Sequence, residues 1–118
     1  MSSKLRIGRP KYSLALAHGA SATTAQQDGN ENGMLRSIII TTPATVDNSA
    51  TVEVNILDVD GNTIWSKDTI AANTTDLTLL TSSTEVPIGG AYTVQVVFSD
   101  AQDTTDTVTG VVLLIDRG

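Results

Sequence analysis

Few side chains of this 118-residue sequence could carry out chemistry. His18 is the only histidine, and there is no cysteine. A lone histidine at the end of an apolar segment is far more often a surface residue than a base. The sequence also has no Gly-rich phosphate loop, no HExxH and no GxSxG. Because catalysis needs positioned titratable groups, we interpret the chain as a non-enzyme with no cofactor and no small-molecule substrate.

Two groups of acidic residues resemble weak cation sites. Asp58-Val59-Asp60-Gly61-Asn62 looks like the start of a calcium loop, but an EF-hand loop has its glycine at the sixth position, a Glu at the twelfth and helices on both sides. The Asp60-Gly61 pair is also a strong hairpin signal, which explains the same residues without a metal. Asp100, Asp103 and Asp106 are best explained as a solvated acidic turn. We therefore predict no metal site.

The most informative feature is the distribution of charge. No acid precedes Asp28, and the first eleven residues carry four cations: Lys4, Arg6, Arg9 and Lys11. The rest of the chain carries three cations against all 13 acids, so the formal charge of −6 divides into +4 on this arm and −10 on the body. Such polarity suits an arm that docks on an acidic protein neighbour. Nucleic-acid binding is disfavoured because the acidic body would repel phosphate, and a solvated terminus is the remaining alternative.

Short segments in which apolar and polar residues alternate must form the elements that position these charged residues. Threonine is abundant and aromatic residues make up only 3 % of the chain, so the core must be aliphatic. Residues 19–33 are polar and predict a loop. No segment of helical length shows the helical period. Strands are predicted near residues 12–18, 34–42, 51–57, 63–66, 74–81, 91–98 and 107–115.

These strands predict an all-β fold, an antiparallel β-sandwich or small barrel of about seven strands with an extended N-terminal arm. We divide the chain into residues 1–33, which hold the basic arm, the first strand and the polar loop, and residues 34–118, the sandwich body. At this length the chain forms one domain.

Two strands carry more apolar residues than a one-sided sheet requires. Val97 lies opposite the face shared by Tyr92 and Phe98, and Val111, Leu113 and Ile115 lie opposite Val112 and Leu114. These outward residues could lie in a closed barrel or beneath the arm, or another subunit could cover them, since large exposed apolar patches mark interfaces. The predicted partner-binding residues are Lys4, Arg6, Arg9, Lys11, Val97, Val111, Leu113 and Ile115.

The N-terminus offers neither a secretory signal nor a membrane anchor. Its apolar run, residues 13–17, ends at His18 and is shorter than the roughly 7–15 residues that a signal needs. No segment approaches the roughly 18 apolar residues of a membrane span. We expect a protein made in the cytoplasm of the host without a signal peptide, with no membrane partner.

Three segments resemble the small accessory β-sandwich proteins of tailed bacteriophage virions, above all the capsid decoration (cement) proteins: ILDVDGNTIW from Ile56, AYTVQVVFSD from Ala91 and TGVVLLIDRG from Thr109. The resemblance implies a non-enzymatic structural protein on the capsid surface of the virion. It would bind the major capsid protein, bridge neighbouring capsid subunits, and form a homo-oligomer such as a trimer, without binding nucleic acid. The alternatives are a phage tail or head–tail joining component, or an Ig-like or carbohydrate-binding module. Sugar binding is disfavoured because it uses exposed aromatic residues, which are scarce here.

Overall fold

The computed structural model describes residues 7–16, 23–81, 83–104 and 106–117. These residues form antiparallel strands and no helix, which confirms the all-β prediction. The strands are β1 (Ile7–Gly8), β2 (Lys11–Leu16), β3 (Thr24–Thr41), β4 (Val52–Asp58), β5 (Thr63–Ile70), β6 (Thr75–Leu79), β7 (Val86–Phe98) and β8 (Thr107–Asp116).

Strand β3 belongs to both layers of the fold. Its first half pairs with β7, while its second half pairs with β8 on one side and β6 on the other. The register with β8 shifts between Leu35 and Ser37, which is the position of a β-bulge. We call the two parts the β8 sheet (β1, β2, β8, the second half of β3, and β6) and the β7 sheet (the first half of β3, β7, β4 and β5).

The core lies between these two sheets and follows the period of two along each strand. Alternate residues of β8, β7 and β4 point inward, as do Ile38 and Ile40 of β3. Burying each such side chain contributes about 1.5–3 kcal/mol, and aliphatic residues supply most of it. The fully covered apolar side chains are Leu35, Ile38, Ile40, Val52, Val54, Ile56, Val94, Val96, Val111, Leu113 and Ile115.

The end of the basic arm lies on its own body, contrary to the expectation that the whole arm would lie on a neighbour. β1 and β2 both pair with β8, from Ile7 opposite Asp116 to Leu16 opposite Thr107. Between them, the amide of Leu113 donates to the carbonyl oxygen of Pro10 at 3.1 Å. Residues 7–16 therefore supply hydrogen bonds to β8 and side chains to the core. Lys4 and Arg6 lie outside the described residues.

The loop predicted for residues 19–33 is wrong over residues 24–33, which form the first half of β3. The partner strand β7 begins at Val86 rather than Ala91, and it pairs Asn32 with Gly89 and Gly33 with Ile88. A polar sequence can form a strand here because this half of β3 has a hydrogen-bonded neighbour only on the β7 side among the described residues. Most of its side chains therefore face solvent.

Two tyrosines close the space between β2 and β7. The Tyr12 and Tyr92 hydroxyls are hydrogen-bonded, and their rings pack edge to face with centroids 6.2 Å apart. Burial raises the pKa of both phenols. Gly29 of β3 pairs with Tyr92, and a Cβ atom at this position would overlap both hydroxyls. The absence of a side chain at Gly29 thus makes room for the tyrosine pair.

We predict that Gly29→Ala destabilises the protein by about 1–3 kcal/mol, because the added methyl group forces the tyrosine pair apart. Gly89→Ala is the matched control, since a Cβ atom at Gly89 meets nothing within 4 Å. Urea unfolding of both variants checks the prediction. Equal stability of the two variants would contradict the steric role of Gly29.

An ion pair joins the edge strands β5 and β6 of the two sheets. The Lys67 Nζ atom donates to both carboxylate oxygens of Asp76, at 2.9 and 2.8 Å. The hydrogen bond from Lys67 holds the pKa of Asp76 below its ordinary value, against the opposing effect of burial. A carboxylate whose pKa is lower in the folded state stabilises that state only while it is ionised.

The contribution of Asp76 should therefore be complete above about pH 4 and disappear as the pH falls through its lowered folded-state pKa. We predict that Asp76→Asn costs about 0.5 kcal/mol at pH 7, because the pair is partly exposed, and that the difference from wild type vanishes in acid. Urea titrations from pH 7 to about pH 2 measure it. Asp60→Asn, which removes an exposed carboxylate, is the control; a pH-independent difference for Asp76→Asn would refute the ion-pair account.

Candidate functional site

The outer face of the β7 sheet is polar and satisfies its own hydrogen bonds. Gln95 donates to Gln26 at 3.3 Å, and Asn55 donates to Gln95 at 3.1 Å, so side-chain amides form a ladder across the strands. Thr93 donates to the Asp28 carboxylate at 2.8 Å. Satisfied polar groups of this kind are typical of a face that remains in water.

The outer face of the β8 sheet is apolar by contrast. The register places Val112, Ile39 and Leu77 in one row across three strands, because Ile39 lies opposite both of the others. Leu114 and Leu79 flank Ser37 in the next row. Leu77 and Leu79 are 58 % and 71 % exposed. We call these five apolar residues (Ile39, Leu77, Leu79, Val112 and Leu114) the apolar face.

A groove on this side brings the apolar face together with the end of the basic arm. Its volume is about 420 Å³, and it is lined by Arg9, Lys11, Ser37, Ile39, Val112 and Leu114. Arg9 and Lys11 are exposed, and neither forms an ion pair within the described part of the chain.

The other described cations already have acidic partners. Arg36 pairs with Glu85 and Asp116, Lys67 with Asp76, and Arg117 with Glu31. Arg9 and Lys11 are therefore the cations that the described residues leave available to a partner's carboxylates.

The predicted orientation of Val111, Leu113 and Ile115 is wrong. All three are fully buried in the core, so they cannot contact a partner. Val111 lies opposite Tyr12 on one side and Ile40 on the other, and both of these neighbours point inward. The run VVLLI is apolar at every position, so its sequence alone cannot show which alternate residues face the core.

The outward alternation of β8 instead contains Val108, Val112 and Leu114. Ile39, Leu77 and Leu79 of other strands lie beside Val112 and Leu114. The outward position of an isoleucine such as Ile39 could have been predicted from the sequence, because three consecutive isoleucines indicate a strand that is apolar on both faces. Leu77 and Leu79 alternate with Asp76 and Thr78. The sequence shows this alternation, but it does not show that the leucines, rather than the polar residues, are exposed to solvent.

Val97 points outward as predicted, but from the β7 sheet. It lies between Thr24 and Glu53 and is half-buried. A depression of about 180 Å³ beside it is lined mainly by polar residues. Val97 is thus separate from the apolar face, and its role in partner binding stays a prediction.

The acidic segment at Asp58 forms the predicted hairpin. The Asp58 carboxylate accepts hydrogen bonds from the amides of Asp60 and Asn62, at 3.0 and 2.8 Å, and these bonds lower its pKa. The hairpin turn therefore uses one of the oxygens that a cation would need. No group of three or more metal-ligating side chains occurs among the described residues. His18 lies outside them.

No protein-family model and no curated protein matches the sequence. Among solved structures, the fold is similar to the VP2 subviral particle of infectious bursal disease virus, with a TM-score of 0.51 and 11 % identity over 96 % of this chain and 33 % of that chain. The T=1 particles derived from the same virus give a TM-score of 0.48, with 11 % identity over 96 % and 32 %.

The chain thus spans about a third of the length of the VP2 chains that it matches. At this identity the likeness concerns the fold alone, which is a β fold of the viral capsid type. That VP2 protein comes from a birnavirus rather than a tailed phage. A helix long and apolar enough to cross a membrane does not occur in the part of the chain that the structure describes.

Neighbouring leucines of β8 offer a matched pair of substitutions. We predict that Leu113→Asp costs more than about 3 kcal/mol or prevents folding, because it places a carboxylate in the core. Leu114→Asp, one residue further on the apolar face, should cost about 1 kcal/mol or less. Urea unfolding measures both. Equal destabilisation would show that Leu114 also belongs to the core.

Proposed function

We propose that this chain is a non-enzymatic structural protein of a virion, which binds the outside of a capsid through the apolar face and through Arg9 and Lys11. The observation that carries the proposal is the difference between the two outer faces. The face of the β7 sheet is hydrogen-bonded within itself, whereas the face of the β8 sheet exposes leucines beside two cations with no ion pair among the described residues. The likeness of the fold to VP2 supports the viral assignment.

Hydrophobic burial would supply most of the binding energy. A stable, specific interface buries about 800 Å² on each partner, and the outer face of a sheet of several strands can supply an area of that size. Leu77 and Leu79 expose most of their side chains, so covering them removes apolar surface from water at about 25 cal/mol per Å². Arg9 and Lys11 would orient the protein on an acidic partner surface and accelerate association.

More specifically, we propose that the chain is a head decoration protein of a tailed phage. It would form a homo-oligomer on the capsid surface, contact the major capsid protein and bridge neighbouring subunits. Its resemblance to phage accessory proteins over residues 34–118 supports this form. Lys4 and Arg6 precede β1 in the sequence and would add two further cations to the contact. Synthesis in the host cytoplasm would precede its attachment to the capsid.

The alternatives differ in how well the structure supports them. A tail or joining component could use the same apolar face, so it falls within the same class of function. A carbohydrate-binding module would present aromatic rings to solvent. Tyr12, Tyr92 and Phe98 are buried here, and Trp65 packs partly buried against the core. These positions disfavour sugar binding.

Co-sedimentation with undecorated capsids, assembled from the major capsid protein of the same genome, tests the proposal. We expect saturable binding at a fixed number of copies per capsid. Lys11→Gln should weaken binding roughly fivefold, because an exposed ion pair contributes at most about 1 kcal/mol. Leu114→Asp should weaken it further, since it places a charge on the buried part of the contact.

Gln26→Glu is the matched control for Lys11→Gln. Each variant lowers the net charge by one, but Gln26 lies on the outer face of the β7 sheet. We expect the Gln26 variant to bind like wild type. If both variants weaken binding equally, overall charge rather than the position of Lys11 controls this part of the attachment. If the folded wild-type protein ignores capsids, the proposal is wrong.

A further inference from the structure

Most free strand edges in this fold carry features that discourage pairing with another chain. Strand β5 has two register irregularities against β4 and the charged residues Lys67 and Asp68, and its Thr69 has a φ of 56°. The edge formed by β1 and β2 is interrupted at Arg9 and Pro10. Bulges, charges and proline are the usual means by which proteins protect such edges.

Among the described residues, the first half of β3 also has one free edge, which carries the acidic residues Asp28 and Glu31. Strand β6 is the described edge that combines exposed leucines with none of these protective features. It pairs with β3 in continuous register from Ser37 opposite Leu79 to Thr41 opposite Thr75, without a bulge. It contains no proline and no lysine, and its only charge, on Asp76, is paired with Lys67. Leu77 and Leu79 are highly exposed. An unprotected edge of this kind is a template for β-sheet extension.

The directions of the backbone N–H and C=O groups show which residues of β6 could form hydrogen bonds with another strand. The Thr74 carbonyl accepts from Thr42 and the Leu80 amide donates to Arg36, so residues 74 and 80 face β3. Because these directions alternate along a strand, residues 76 and 78 also face β3. The amides and carbonyls of Thr75, Leu77 and Leu79 then point to the free edge. The described residues provide no backbone partner for them.

From these observations we infer that two copies of the chain pair through β6, antiparallel about a two-fold axis at Leu77. In this register Leu77 lies opposite Leu77 of the other copy, and Thr75 lies opposite Leu79. Each outward amide and carbonyl obtains a partner. Asp76 lies opposite Thr78 rather than the second Asp76, so like charges do not meet across the axis. The segment is therefore complementary to itself, as a two-fold interface requires.

The pairing would also extend the proposed docking surface. Leu77 and Leu79 belong to the apolar face, so joining two β6 strands makes the apolar faces of both copies continuous, with Arg9 and Lys11 of each copy towards the two outer margins. Such a dimer would contact two capsid subunits at once, and the second contact would benefit from a high effective concentration. This consequence depends on the proposed function, whereas the pairing itself does not.

Sedimentation velocity of the purified full chain over a range of concentrations tests the pairing without any capsid. We expect a concentration-dependent dimer. Leu77→Lys and Leu77→Glu should each raise the dimer dissociation constant by about tenfold or more, because a buried leucine pair is replaced by facing like charges. An equal mixture of the two variants should recover the dimer, because opposite charges then meet at the axis.

Amide hydrogen exchange distinguishes this interface from any other. In the dimer, the outward amides of Thr75, Leu77 and Leu79 should become protected, while those of Asp76 and Thr78 are protected in monomer and dimer alike. A monomer at all concentrations would overturn the inference. So would a dimer whose Leu77 amide exchanges freely, or variants that fail to recover on mixing. Circular dichroism checks that the variants are folded. Capsid binding is measured in a separate experiment and tests the proposed function independently of the pairing.

Discussion

The pairing of one long strand, β3, with both sheets is the constraint on which the rest of the structure depends. Its first half is held by β7 and its second half by β8 and β6. The change of partner occurs at the bulge beside Arg36, whose side chain forms ion pairs with Glu85 at 2.6 Å and Asp116 at 2.9 Å. Because side chains alternate on each side of this bulge, it determines which residues of β3 face the core and, through pairing, which residues of β8 and β6 face outward.

This arrangement gives the molecule two outer faces with different chemistry. The amide ladder of Gln26, Gln95 and Asn55 keeps one face in water, while the other presents aliphatic residues beside Arg9 and Lys11. A chain with a formal charge of −6 thus keeps two cations next to its most apolar surface. A surface of this kind suits an acidic protein partner better than nucleic acid, which the acidic body would repel. The fold itself is similar to that of the VP2 subviral particle of infectious bursal disease virus.

The sequence predicted what depends on local pattern and missed what depends on long-range pairing. The alternation in β4 and the hairpin at Asp60-Gly61 could be predicted, because alternation along a strand and the residue preferences of a turn depend only on neighbouring residues. The first half of β3 was not, because polar residues form a strand there only when β7 lies beside them. The sequence also could not show which alternate residues of VVLLI face the core. Every residue of this run is apolar, and the register with β2 and β3 decides which of them point inward. Arg9 and Lys11 were predicted as partner-binding residues from charge, but their place beside Ile39, Val112 and Leu114 depended on the fold.

A density map of capsids to which this protein has been added decides between the two outer faces, because it shows which sheet lies against the shell. We predict that the β8 sheet lies against the capsid, with Val112 and Leu114 in the contact and the Gln26–Gln95–Asn55 ladder exposed to solvent. An orientation with the β7 sheet against the shell and the leucines of β6 in open solvent would contradict it.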